Sequence, residues 1–329
     1  MSENIKNKTS ERLSNIFRVI EEEKGSIKLA EFVMETLEVT LDSVKITNIN
    51  DLYQQFYDLF KEVKNTQPRI SLVIYYFYDL WEELQREKSN IKDVDDFRKV
   101  IISTTKRIKN DSDNDFKAIV RNGAELVEND DVVLVHSHSL TVKEVLATAA
   151  KNGKKFKVII AEQETDKTIV MVEFFTKAKI SFTVVPEYML SHIAENVTKV
   201  FFGATTLDQE QQFVCDAGSY SVLAEFHAEH IPNYMFLSTK KFSLWPTSKK
   251  HETFKTTQNK VYASNKKVLN YERIKFSHDR VPADLFNYII TESGKMTPAQ
   301  IKDLYFERYE KQEKMRNEFF SDNTDAVDF

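Results

Sequence analysis

Four consecutive residues, His136-Ser137-His138-Ser139, concentrate the reactive groups of this chain in one short loop. Two imidazoles and two hydroxyls suit metal ligation, nucleophilic catalysis or anion binding. A metal would need further ligands at paired spacing. The remaining histidines, His192, His227, His230, His251 and His278, form no HExxH helix, and a single cysteine, Cys215, rules out a CxxC pair. No metal site is expected. A serine nucleophile with a histidine base would need an orienting acid and oxyanion donors, and no GxSxG elbow surrounds Ser137 or Ser139. Anion binding asks for less: a helix start that follows a strand offers free N–H groups and a positive dipole end. The first cation of the segment is Lys143, which weakens that reading. A purely structural role competes with all three. Ser139 or Thr141 caps the helix TVKEVLATAA, with Glu144 at capping-box distance from Thr141, and His136 packs in the loop and bonds to backbone.

The elements around this loop read as strand (VVLVH), helix, turn at Gly153, and strand (KFKVIIAE). The alternation continues through IVMVEFFTKAK (helix), ISFTVVP (strand), EYMLSHIAENV (helix), KVFFGAT (strand), SYSVLAEFHAEHI (helix) and NYMFLST (strand). Strands alternating with short helices predict βαβ units, and strands with little polar alternation predict a parallel sheet buried on both faces. In such sheets a ligand crevice lies outside the carboxyl ends of the strands. The loops HSHSLT, GATTLD and CDAGSY all fall on that side, so they are expected to share one crevice whose contacts are His136, Ser137, Ser139, Thr205, Asp216 and Ser219. Gly203 is expected where backbone approaches a ligand or a neighbouring loop.

Residues 1–122 show helical periodicity throughout and predict an all-helical first domain. SERLSNIFRVIEEEK is expected to open on a cap at Ser10, and Pro68 falls near another helix start. Tyr75–Tyr78 read as core. Residues 123–329 form the second domain, an α/β Rossmann-like, mostly parallel sheet with a final helix and a polar tail. Arg69, Lys99, Lys106, Arg107 and Lys109 interrupt the helical domain with positive charge; the plain reading is a solvated helix face.

Composition sets outer limits. The chain has 329 residues, roughly twice a typical domain of about 150. A net charge of −5 argues against broad nucleic-acid binding. One cysteine makes no intrachain disulfide. The polar start lacks a secretory signal, and the longest apolar runs fall far short of the roughly 20 residues that span a bilayer. No GxGxxG and no GxxxxGK[ST] occurs, so no nucleotide cofactor is expected. These features predict a soluble, cytoplasmic protein without membrane contact.

HSHSLTVKEVLATAAKNGKKFKVIIAEQE resembles the strand–loop–helix–strand of the alpha, beta and delta regulatory subunits of the exchange factor for initiation factor 2, whose superfamily includes methylthioribose-1-phosphate isomerase and ribose-1,5-bisphosphate isomerase. KVFFGATTLDQEQQFVCDAGSYSVLAEFHAEHIPNYMFLSTKKF and HDRVPADLFNYIITESGKMTPAQIKDLY resemble further family segments in family order. Asp279, Pro282, Gly294, Thr297 and Pro298 match the closing turn and helix starts, where the family pattern implies a helix after the proline turn.

Two departures matter. The isomerases carry a catalytic cysteine directly after the loop histidine, where this chain has Ser137, and a catalytic aspartate after Gly-Ala, where it has Thr205. An alcohol is a far weaker acid than a thiol, and threonine cannot replace a carboxylate. The resemblance therefore implies a non-enzymatic subunit, with the alpha subunit the better match. What it implies for partners is a homodimer, the beta, gamma, delta and epsilon subunits, and the alpha subunit of initiation factor 2, especially when phosphorylated. Lys99, Lys106, Arg107 and Lys109 are then candidate partner contacts. A sugar-phosphate isomerase, or a module that binds a sugar phosphate in the crevice, remains the alternative. Phe242, Leu244 and Trp245 are expected either at the dimer contact or, for Trp245, in the core.

Overall fold

The computed structural model of the chain describes residues 2–43, 48–66, 69–244, 255–264 and 267–320. Four helices come first: α1 (Ser2–Ser43), α2 (Ile49–Lys64), α3 (Ser71–Arg86) and α4 (Val94–Ala124). Then follow β1 (Val132–Val135), α5 (Leu140–Lys151), β2 (Lys157–Glu162), α6 (Thr165–Ala178), β3 (Ser181–Pro186), β4 (Lys199–Gly203), β5 (Thr206–Leu207), β6 (Gln212–Asp216), α7 (Ser219–Ala228) and β7 (Asn233–Phe236). The chain continues with β8 (Lys255–Ser264), β9 (Lys267–Phe276), β10 (His278–Pro282), β11 (Tyr288–Thr291), β12 (Gly294–Met296) and α8 (Pro298–Phe320).

The main sheet has the order β12-β11-β7-β4-β1-β2-β3, and every neighbouring pair is parallel except β11 with β12. The direction of winding reverses between β1 and β4. In doubly wound sheets that reversal opens a crevice at the strand ends, and here it separates Ser137–Ser139, after β1, from Gly203–Thr205, after β4. The expected α/β Rossmann-like architecture behind a helical first part is therefore the fold.

Two cores cover the two faces of the sheet. One is continuous from Phe17, Phe56, Phe77 and Phe97 of the helices to Leu134, Phe202 and Ile289 of the sheet. The other packs Val133, Ile160 and Phe201 against Val145 of α5 and Phe175 of α6. Helix α4 belongs to both, since Phe97, Ile101 and Ile108 enter the first core and Ile119, Val120 and Ala124 the second. Its start is capped by Asp93, which accepts from the Asp96 N–H at 2.9 Å.

Several expectations change. Helix α1 begins at Ser2, so Ser10 lies inside it and not at its start; the real interruption is Gly25, whose φ of 81° and ψ of 164° break the helix in two. EYMLSHIAENV is wound as a 3-10 segment, Glu187–Asn196, and not as an α-helix. QFVCD, Gln212–Asp216, is a further strand (β6) paired with β10 and β5. After Pro282 only the short turn Ala283–Leu285 is helical, and β11 follows where a helix was implied. NYMFLST is apolar because β7 sits between β4 and β11, and Phe242 and Leu244 are buried in the same chain, so they offer no dimer surface. Trp245 and Pro68 lie outside the described residues. Tyr76, Phe77 and Tyr78 are buried core, as expected.

Candidate functional site

The crevice is built in two depths. An inner cavity of about 60 Å³ is lined by Ser137, His138, Ser139, Gly203, Thr205, Cys215 and Asp216, together with Glu21, Lys24, Gly25, Ser26 and Lys241. It shares Lys24, His138 and Asp216 with an outer cavity of about 600 Å³ that reaches Gln163, Lys167, Glu187, Lys275 and His278. The three strand-exit loops therefore do meet. Among the six residues expected at the crevice, Ser137, Ser139, Thr205 and Asp216 line the inner cavity. His136 and Ser219 stand one layer behind it.

His136 is fully buried, and its partners are side chains, not the backbone expected for it. Its Nδ1 pairs with Ser219 Oγ at 3.1 Å, and its Nε2 lies 3.1 Å from Glu187 Oε2 and 3.0 Å from Gln163 Nε2. Gln163 also donates to the Ala217 carbonyl at 3.0 Å. One imidazole thus ties together the loops after β1, β2, β3 and β6. The glycines make room for this junction. A Cβ on Gly203 would overlap the Ser139 side chain, and one on Gly218, whose φ is 95°, would overlap the Glu187 carboxylate. Ser139 is the cap of α5, accepting from the Val142 N–H at 3.4 Å, so the cap falls on Ser139 and not on Thr141. Ser137 holds a left-handed backbone, φ 76°, which is strained for a residue with a Cβ and fixes the turn that carries the hydroxyl into the cavity.

Charge in the crevice is mixed but ordered. Asp216 lies 3.3 Å from Lys167 Nζ and 3.5 Å from His138 Nδ1, the latter too long and misaligned for a full hydrogen bond. Burial alone would push its carboxyl up, but His138, Lys167 and His278 outweigh that and hold it well below the usual carboxylate range. Lys241 is buried, and desolvation pushes its ammonium down to about 8, with Glu21 only partly offsetting the loss. Its Nζ donates to the Ala204 carbonyl at 3.0 Å. His278 is raised: burial works against the charged ring, but the Glu21 carboxylate 3.6 Å away outweighs it. The Cys215 thiol is pushed up by burial, and the Asp216 and Asp279 carboxylates add to the shift.

These states limit the chemistry. A thiol held neutral and buried is a poor nucleophile. A carboxylate locked in its ionised form cannot donate a proton and is a weak base near neutrality. The Thr205 hydroxyl donates to the Val214 carbonyl at 3.1 Å. What remains suits recognition of a small anion. Lys24, Lys167 and Lys241 bring positive charge to the two cavities, and the second half of α1 starts at Ser26 beside the inner one. Among the described residues no group of three or more His, Cys, Asp or Glu side chains is arranged to hold a metal. No described helix is long and apolar enough to cross a membrane.

Sequence reasoning missed Lys24, Gly25, Ser26, Lys167 and Lys241. Gly25 carried a signal, since a glycine inside an otherwise continuous helical pattern marks a break or a close approach. Lys241 carried none beyond its place after the strand NYMF.

The candidate partner residues lie elsewhere, along α4. Arg107 is bidentate to Asp79 at 2.6 and 3.3 Å, Lys99 pairs with Asp96 at 3.1 Å, and Lys109 pairs with Glu35 at 3.3 Å. Lys106 is exposed one helical face away from Arg107, and Arg69 is half-buried ahead of α3. Most of this positive charge is thus partnered by acids.

The sequence matches the initiation factor 2 subunit family over residues 22–298. A eIF-2B subunit 2-like translation initiation factor of Pyrococcus furiosus is 30% identical over 183 residues, which is 55% of this chain and 63% of that protein. The chain spans 61–63% of the length of this relative and of its counterparts from two other Pyrococcus species. A ribose 1,5-bisphosphate isomerase of the same organism is 22% identical over 299 residues, 87% of this chain and 90% of the isomerase. The translation initiation factor eIF2B alpha subunit of Dictyostelium discoideum is 21% identical over 295 residues, 83% of this chain and 90% of that subunit. Among solved structures, the Pyrococcus horikoshii translation initiation factor eIF-2B superposes with a TM-score of 0.70 at 21% identity, covering 88% of this chain and 98% of that one.

Proposed function

The chain belongs to the initiation factor 2 subunit family, and from that premise we propose that it is a regulatory, alpha-type subunit of an initiation factor 2B exchange complex. In this reading it is not an isomerase. It supports assembly with beta, gamma, delta and epsilon subunits, pairs with a second copy of itself, and reads the phosphorylated alpha subunit of initiation factor 2. One observation carries the non-enzymatic reading. Ser137 and Thr205 stand where the isomerases place a thiol and a carboxylate, and the Thr205 hydroxyl is engaged by Val214. Proton transfer between adjacent sugar carbons needs an acid and a base on opposite sides of the substrate. Ser137 supplies neither near neutrality, Asp216 is held as a carboxylate, and the Lys241 ammonium in the same cavity is turned to the Ala204 carbonyl. The likeness over most of the chain to both an alpha subunit and an isomerase supports either role for the fold, and the site residues favour the regulatory one.

A second reading goes with the first: the crevice retains a sugar phosphate as a regulatory ligand. Lys24, Lys167 and Lys241 around a cavity of about 60 Å³ and its wider mouth favour it. The partner surface is proposed along α4 at Lys99, Lys106, Arg107 and Lys109, where a phosphoserine would compete with Asp79, Asp96 and Glu35 for existing cations.

Affinity isolation of the tagged chain from its native extract tests the assignment. Recovery of initiation factor 2 with the other exchange-factor subunits is expected. Absence of all of them at low salt would overturn it. Incubation of the pure chain with methylthioribose 1-phosphate and ribose 1,5-bisphosphate is expected to give no ketose product; turnover lost on Asp216→Asn would reverse the non-enzymatic reading.

A further inference from the structure

Strands β8 and β9 form a two-stranded sheet of their own, and neither joins the rest of the fold. A lone hairpin is marginally stable in water. This one is also dressed for contact. Its register sets Lys255 opposite Phe276, Thr257 opposite Ile274, and Val261 opposite Asn270. Opposed residues share a side and sides alternate along a strand. Val261, Val268, Ile274 and Phe276 therefore lie on one face, exposed to 66%, 67%, 48% and 53%. Lys260, Arg273 and Lys275 lie on the other, with Leu269 and Tyr271.

A second exposed apolar group lies on the elements that start at the crevice, with Val170 lining its outer cavity: Ile169 and Val170 on α6, Tyr188 and Met189 on the 3-10 segment, and Tyr220 on α7. The starts of those three elements are drawn together by His136, Gln163 and Glu187. Arm and rim together hold eleven of the seventeen exposed large hydrophobic residues described. Concentration on two features, and not scatter, marks contact surfaces.

The arm cannot cover its own rim. Its base is tied there by Lys275 to Glu164 at 2.7 Å and by the Ala217 N–H to the Ser277 carbonyl at 3.2 Å. A ten-residue strand spans about 33 Å, so Val261 and Val268 stand far out from that base. Charge points to the occupant. Residues 255–276 contain six Lys or Arg and one Glu, a net +5, whereas the whole chain is −5, leaving −10 for the remainder. A basic apolar ribbon complements an acidic body.

We propose that the β8–β9 arm of one copy lies over the crevice rim of a second copy, with the reciprocal contact closing a two-fold pair. This deepens, and rests on, the self-association proposed above. Each copy donates one arm and one rim, as an isologous interface requires. The crevice of each subunit then sits beneath the partner's arm, so self-association controls access to it.

The test uses the full chain. Sedimentation velocity at low micromolar concentration is expected to show twice the 38.4 kDa chain mass. Val261→Lys with Val268→Lys, and separately Tyr188→Glu, are each expected to weaken dimerisation at least tenfold. All three positions are exposed, so circular dichroism should be unchanged. Cys215, the only cysteine, is buried, so Val268→Cys and Tyr188→Cys chains can be mixed and treated with a short bis-maleimide. Cross-linked dimer is expected from the mixture and not from either chain alone. A monomeric wild-type chain would overturn both the self-association and the arm contact. A dimer indifferent to all three substitutions and without cross-link would leave self-association standing and overturn the arm contact alone. Arm variants that keep the dimer but lose capture of initiation factor 2 would assign the arm to another protein and equally overturn it.

Discussion

Replacing Lys241 by methionine should make the protein more stable near neutrality, an advantage that should be gone at high pH. Lys241 is buried with its pKa pushed from 10.5 down to about 8. Its folded pKa lies below its unfolded one, so between those values the unfolded chain holds a proton that the native chain has released, and stability rises with pH. Below pH 8 the full penalty for the charge is present, roughly 3 kcal/mol for a fall from 10.5 to about 8. Methionine keeps the length of the stem and removes the charge. It also removes the donor to the Ala204 carbonyl, a charged hydrogen bond whose loss costs about 1.5 kcal/mol. The net expectation at pH 7 is a gain of about 2 kcal/mol for Lys241→Met, on the order of the difference between those two figures. By pH 10 the penalty in the wild type falls below about 1 kcal/mol, so the gain should vanish or change sign. Urea denaturation of both chains between pH 7 and 10 measures this, and taking the difference cancels titrations common to both. A difference that stays flat across that range would refute the claim that Lys241 is charged and desolvated. If the cation also serves an anion, inorganic phosphate at neutral pH should raise the melting temperature of the wild type and leave that of the variant unmoved.

Gly203→Ala should destabilise by about 1–3 kcal/mol, because the new Cβ overlaps the Ser139 side chain and must displace the cap of α5; thermal denaturation reads it, and a neutral result would mean that the loop yields freely. Asp131→Ala should cost about 3–5 kcal/mol by stranding the buried Lys199 ammonium, now 2.6 Å from the carboxylate; Lys199→Met in the same background should recover much of that loss, and failure to do so would locate the cost elsewhere. Lys106→Glu should weaken inhibition of exchange by phosphorylated initiation factor 2 without altering assembly, whereas reversing Arg107 would also set a carboxylate against Asp79 and Glu83; unchanged inhibition removes Lys106 from the partner surface.

The strand–loop–helix–strand at residues 130–164 was legible because each of its parts is coded locally. VVLV and KVIIAE are continuous apolar runs, and a helix between them leaves a parallel sheet as the only simple pairing. Meeting of the three loops followed from one rule about strand ends. What was not legible depends on contacts distant in sequence. Lys241 becomes part of the site only because β7 lies beside β4, and Glu21 because α1 breaks at Gly25 above the same strand ends. The arm was hidden for another reason. Its alternation of Thr, Gln, Asn and Lys with scattered apolar residues has no buried face among the described residues, and without one the two-residue period that betrays a strand is missing. Phe242 and Leu244 were misplaced because apolar character alone does not tell an interior from an interface.

Helix α4 runs unbroken for 31 residues from Val94 to Ala124. At about 1.5 Å per residue it is a strut of roughly 46 Å. Its first half is clamped among the other helices and its last turns against α5 and β11. A helix packed along both halves can curve only gently, since a sharp kink would break backbone hydrogen bonds. The same helix that carries Lys106 ends on the sheet, where Gly123 packs so closely on Val145 and Phe236 that no Cβ would fit. The surface proposed for a phosphorylated partner and the strands that frame the crevice therefore share one continuous element.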